Sequence, residues 1–160
     1  KSGWVLENGA LTGNDNPNAD PEILVAIGEL ATSIGAADIT EIEFITTAFD
    51  VSDGGTLQVR VRFNEAVDVT GTPQLTVVND SRANHTLSYA SGTGSNELVF
   101  SLTIAAGGGG VIAADDELSI GANATALNGG TIKDAGTNTA STITNAAGVG
   151  TAAGTITATA

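Results

Sequence analysis

A chain of 160 residues with a formal charge of −13, no cysteine and 4% aromatic residues narrows its own functions. Five basic residues against eighteen acidic ones exclude phosphate-driven nucleic-acid binding and attraction to anionic membranes. The missing cysteines exclude disulfides and thiolate metal sites, and no apolar run approaches the ~20 residues that membrane insertion of a helix requires.

The stretch "GNDNPNAD" (13–20) alternates Asn14, Asn16, Asn18 and Asp20 in the manner of a calcium loop. Ala19 and Val25 stand where that loop needs glycine and glutamate, so an Asx-rich turn is expected instead. Asp20 and Pro21 then form an N-cap followed by proline at the first helical position. Ile23, Leu24, Ile27, Leu30 and Ile34 recur at helical spacing, which predicts a short amphipathic helix over about 21–34, with a strand through "EILVAI" as the rival. Residues 1–38 are expected to form an N-terminal arm and 39–160 the main domain.

From residue 39 the period changes to two. "TLQVRVRF" (56–63) sends Leu57, Val59, Val61 and Phe63 to one face and Gln58, Arg60 and Arg62 to the other, the pattern of a strand with one buried face. The alternation returns in "QLTVV" (Leu75, Val77), "HTLSYA" (Leu87, Tyr89) and "ELVFSLTI" (Leu98, Phe100, Leu102, Ile104); these apolar residues are the expected core. Weaker strands are expected in "ITEIEFIT" (39–46), "ELSIG" (117–121), "GTIKD" (130–134) and "GTITATA" (154–160). Short strands separated by Asp53-Gly54-Gly55, Gly71-Thr72-Pro73, Asn79-Asp80-Ser81 and Asn128-Gly129-Gly130 indicate a mainly β chain folded as an antiparallel sandwich.

Four stretches carry candidate chemistry. Glu65 and Asp68, three apart at a strand end, point to opposite faces at strand periodicity. They cannot flank one glycosidic bond, which needs carboxylates about 5 to 9.5 Å apart. His85, the only histidine, has Ser88, Ser91 and Asp80 as possible partners, but no nucleophile elbow exists and a half-buried or rim position is expected. "AAGGGG" (105–110) lacks the Lys-Ser/Thr of a phosphate loop and reads as flexible. Asp115, Asp116 and Glu117 are candidate calcium ligands, together with Asp50 and Asp53 or with Asp134; a solvated acidic turn is the competing reading, and the preferred one. No catalytic residue and no cofactor other than calcium is expected.

The sandwich resembles a known family. "VRVRFNEAVDVTGTPQLTV", "LSYASGTGSNELVFSLTIAAG" and "LNGGTIKDAGTN" are similar, in that order, to the motifs of immunoglobulin-like SWM-type repeats in surface proteins of marine bacteria, over about residues 39–145. The chain departs from that pattern at "GGGGVIAADDELSIGANATA", which is longer and richer in glycine. The resemblance implies an immunoglobulin-like fold and a non-enzymatic structural or interaction module. The arm, unlike anything in those repeats, points to a virion subunit such as a phage capsid decoration protein, or to a filament subunit, with protein partners (its own copies or shell subunits). The alternative is a calcium-dependent adhesin repeat of a secreted bacterial surface protein. An enzyme or sugar-binding domain ranks third, because few aromatics are present to stack on sugars. The expected location is a virion surface or the cell exterior. The uncharged end, "TITATA", is expected as the last strand of the sandwich.

Overall fold

The computed structural model of the chain describes residues 35–160. The helix expected over 21–34 and the Asx-rich turn at 13–20 lie outside the described residues. The strands are β1 (Ile39–Phe44), β2 (Phe49–Asp50), β3 (Gly55–Thr70), β4 (Gln74–Asn79), β5 (His85–Ser91), β6 (Ser95–Ile104), β7 (Glu117–Ser119), β8 (Thr125–Ala126), β9 (Thr131–Asp134) and β10 (Ile156–Thr159). Among the described residues, helix is confined to α1 (Ala147–Thr151) and a 3-10 segment at Ala106–Gly110. The chain is therefore mainly β.

The strands join in the order β1-β3-β6-β5-β4-β7-β10-β2, with β8 beside β4 and β9 beside β3, and the sheet curls into a half-barrel. β3 is the spine. Its first half pairs antiparallel with β6, from Gly55 opposite Ile104 to Arg62 opposite Glu97, while β1 runs along its other side. β4 then links the two ends of the path, pairing with β5 through Leu75 and Leu87 and with β7 through Val78 and Ser119. β10 lies between β7 (antiparallel) and β2 (parallel), so the uncharged terminal strand is an interior strand of the sheet.

The core follows the period-two pattern. Leu57, Val59, Val61, Phe63, Leu75, Val77, Leu87, Leu98, Phe100 and Ile104 are buried, with Tyr89 and Leu102 packed partly buried against them. Ile42, Phe49, Val67, Ile112, Leu118, Ile120, Ile132 and Ile156 belong to the same cluster, with Ala37, Ala124 and Ala158. Each such side chain contributes roughly 1.5 to 3 kcal/mol by leaving water, so this shared face dominates the stability of the sheet.

Two expectations are corrected. β3 does not end near Glu65; it runs to Thr70, because after a break in register between Arg62 and Val67 it still meets β6 at Ser95 and gains β9, which pairs from Val67 with Asp134 to Thr70 with Thr131. The "AAGGGG" stretch is not a loose loop. Gly107, Gly108 and Gly109 take positive φ angles of 77°, 74° and 55°, Gly107 N–H donates to Val51 O at 2.8 Å, and Gly108 is buried against Val51. Glycine is required there by conformation.

Candidate functional site

The sequence candidates are placed as follows. Glu65 and Asp68 both belong to β3, an odd number of residues apart, and so lie on opposite faces. Asp68 is exposed and sits opposite Lys133 of β9, an opposite-charge pair of the kind that supports a two-strand ladder. The two carboxylates do not converge.

Arg60 and Arg62 do share the wet face of β3, but acids from both neighbouring strands neutralise them. Arg60 Nε donates to Glu43 Oε1 at 2.5 Å and its Nη1 to Glu97 Oε2 at 3.3 Å. Arg62 Nε reaches Glu97 Oε1 at 2.8 Å and Nη1 reaches Glu41 Oε2 at 2.9 Å. The bonds from Glu97 and Glu41 hold the Arg62 guanidinium above its already high ordinary value. These side chains are 30 to 48% exposed, so the lattice contributes register across β1, β3 and β6 more than energy. The stripe is not a vacant anion site.

Asp115, Asp116 and Glu117 are also drawn apart. Asp115 occupies the left-handed region at φ 67°, Glu117 is exposed at the start of β7, and Asp116 is turned inward and 4% exposed. Among the described residues no group of three or more His, Asp or Glu side chains is placed to hold a metal ion. Two of the acids named with them, Asp50 and Asp134, cap turns. Asp50 Oδ1 accepts from Ser52 Oγ at 2.6 Å and Ser52 N at 2.8 Å; Asp134 Oδ1 accepts from Thr137 N at 2.5 Å and Thr137 Oγ1 at 2.9 Å. Those donated bonds, which favour the charged form, hold both carboxyls below their ordinary value.

What does converge is a buried polar cluster at the β4–β5 turn. Asn79 ends β4, and its Oδ1 accepts the backbone N–H groups of Ser81 (3.0 Å) and Arg82 (2.9 Å). Its Nδ2 donates to Asp116 Oδ2 at 3.0 Å and faces His85 Nε2 at 3.4 Å. Asp116 Oδ2 also accepts Ala113 N–H at 2.9 Å and pairs with Arg82 Nε at 3.0 Å. The Asn79 bond above all, then the Ala113 and Arg82 contacts, keep the Asp116 carboxyl below its ordinary value. Asp80 adds a second tie: its Oδ1 accepts Glu117 N–H at 2.9 Å and its N–H donates to Glu117 O at 3.1 Å.

His85 lies deeper than the half-buried or rim position expected of it. It is 4% exposed, on the same face as Leu87, while Ser88 lies exposed on the other face, so no Ser-His pair forms. Burial pushes the imidazole below its ordinary value, with Asp116 pulling weakly the other way. Sequence reasoning read Asn79 only as part of a turn and passed over Arg82. The visible signal was "NDSRANH", where an Asx residue precedes the turn by the spacing at which its oxygen can take two backbone N–H groups.

Compared with known proteins, the chain matches no family model, no curated protein and no solved structure.

Proposed function

We propose that this chain is a non-enzymatic structural module, an immunoglobulin-like sandwich carried on a surface assembly such as a virion shell or a filament. The observation that carries the reading is the pairing order. β1-β3-β6-β5 followed by β4-β7-β10 has the order A-B-E-D and C-F-G of that architecture, once the β4–β5 hairpin is taken as the seam between two sheets. β1 and β2 are consecutive in the chain, yet they stand at opposite ends of the strand path, as expected when one strand passes from the first sheet to the second. The resemblance to SWM-type repeats points to the same architecture.

The acids support this reading by how they are used. Asp50, Asp134 and Asp116 bind backbone N–H groups, and Glu41, Glu43 and Glu97 bind the arginines of β3. They hold turns and strand register. The partner is protein, a second copy or a shell subunit, engaged through the apolar positions Ile23, Leu24, Ile27 and Leu30 of the N-terminal arm. A helix of the length expected from that sequence would be marginal in water and would gain from a packing surface.

Sedimentation of the full chain and of the Ile27→Asp/Leu30→Asp variant tests the proposal. Reversible association in the parent that disappears in the variant, with the circular dichroism of the β domain unchanged, is the expected result. A parent and a variant that sediment alike as monomers at every concentration would defeat self-assembly through the arm.

A further inference from the structure

The Asn79 amide cannot turn over. Its oxygen is committed to two backbone N–H groups, Ser81 and Arg82, so its nitrogen is fixed as the donor that faces both Asp116 and His85. His85 Nε2 must therefore present a lone pair, which requires a neutral ring with its proton on Nδ1. A second proton at Nε2 would set N–H against N–H in a buried place. Asn79 can relieve that clash only by moving away, and its bonds to the turn and to Asp116 move with it.

We propose that His85 is the trigger of an acid-sensitive latch: protonation at Nε2 breaks the hold of Asn79 and releases the turn at 80–84 from the segment 113–117. The latch is distinct from the arm-mediated assembly above and does not depend on it. Among the described residues, the charged groups around the imidazole are few. Asp116, from the segment before β7, is the one among the described residues whose charge acts on His85, and it is already paired with Arg82 of the turn. β4 contributes Val77 and Asn79, β6 contributes Leu102, Thr103 and Ile104, and Val111 follows the 3-10 segment; none of these titrates. A surface hollow is lined by Asn84, His85, Thr86, Leu102, Thr103 and Val111, so His85 lies beside an open depression and not deep in the apolar core.

The sign follows from the burial. The folded, latched state holds the imidazole below its ordinary value, so the released state binds the proton better. Latching is complete above the free-histidine pKa of about 6.5, and it weakens by about tenfold per pH unit below that, down to the latched value.

The experiment is NMR on the full chain. Long-range nitrogen–proton correlations at neutral pH should show His85 as the Nδ1–H tautomer. Amide exchange, normalised for intrinsic rate, should show protection at Ser81, Arg82 and Glu117 falling by about tenfold per unit below pH ~6.5 while Val59 and Val61 stay protected. In His85→Gln, whose side chain carries no titratable proton, the turn should stay protected through the same range. An Nε2–H tautomer, or turn protection that ignores the His85 titration, or an identical acid release in His85→Gln would each overturn the proposal.

Discussion

Arg82 Nε lies 3.0 Å from Asp116 Oδ2, with the arginine side chain 42% exposed and the carboxylate only 6%. A wet cation thus closes over a dry anion, and the carboxylate also receives Asn79 Nδ2 and Ala113 N–H. The β4–β5 turn is held to the approach of β7 by these contacts.

Calcium therefore has little to gain at this carboxylate. The expected outcome is a melting temperature of the full chain unchanged by millimolar calcium, and a lower one in Asp116→Ala with or without the ion. Scanning fluorimetry reads both. A calcium-dependent rise that Asp116→Ala abolishes would mean the ion displaces Arg82.

Acid should destabilise the chain in two stages. The His85 imidazole is held below its ordinary value, so stability begins to fall as the pH drops under the free-histidine value of about 6.5. Asp50, Asp116 and Asp134 are also held low, so what they contribute is intact above about 3.8 and is lost as the pH falls through their folded values. Urea unfolding from pH ~7 to ~3 checks this, and His85→Gln should remove only the first stage. A single fall confined to the carboxylate range would contradict the histidine assignment.

Phe100 packs edge-on to Tyr89, with ring centroids 6.1 Å apart and planes at 73°, and is fully buried between β3 and β5. Phe100→Ala should cost about 3 to 5 kcal/mol in urea unfolding, since β3 on one side and β5 on the other leave little freedom to collapse. A cost near the ~0.5 kcal/mol of a surface change would place the ring outside the core.

The period of two made much of this legible. In "TLQVRVRF" it separated Leu57, Val59, Val61 and Phe63 from Arg60 and Arg62, and the structure keeps that division along β3. It failed where the alternation is masked. Asn64, Glu65 and Ala66 look like a strand end, yet β3 continues past them because β9 pairs with its second half, a partner absent from the local pattern. Phe49–Asp50 and Thr125–Ala126 are too short to carry a period at all. The Asn79 cluster was hidden for another reason: it joins a turn to a distant segment, and only tertiary structure brings Arg82 to Asp116.

Gly92 tests the β5–β6 connection. Its φ is +115°, its carbonyl accepts from Ser95 N–H at 3.1 Å, and a Cβ there would run into the carbonyl oxygen of Glu97. Gly92→Ala should lower stability by more than about 1 kcal/mol, because the substitution is both strained and blocked. An unchanged unfolding curve would show that the connection has room to adjust.

The proposed immunoglobulin-like structural module rests above all on the pairing order, and most sharply on the end of the strand path where β10 lies antiparallel to β7 and parallel to β2. Nuclear Overhauser contacts in the full chain measure this directly. The account predicts contacts of Ala158 with Phe49 in the parallel pattern, and of Ile156 with Leu118 in the antiparallel one. A β10 that shows neither set, or that pairs with β1 instead, would contradict it.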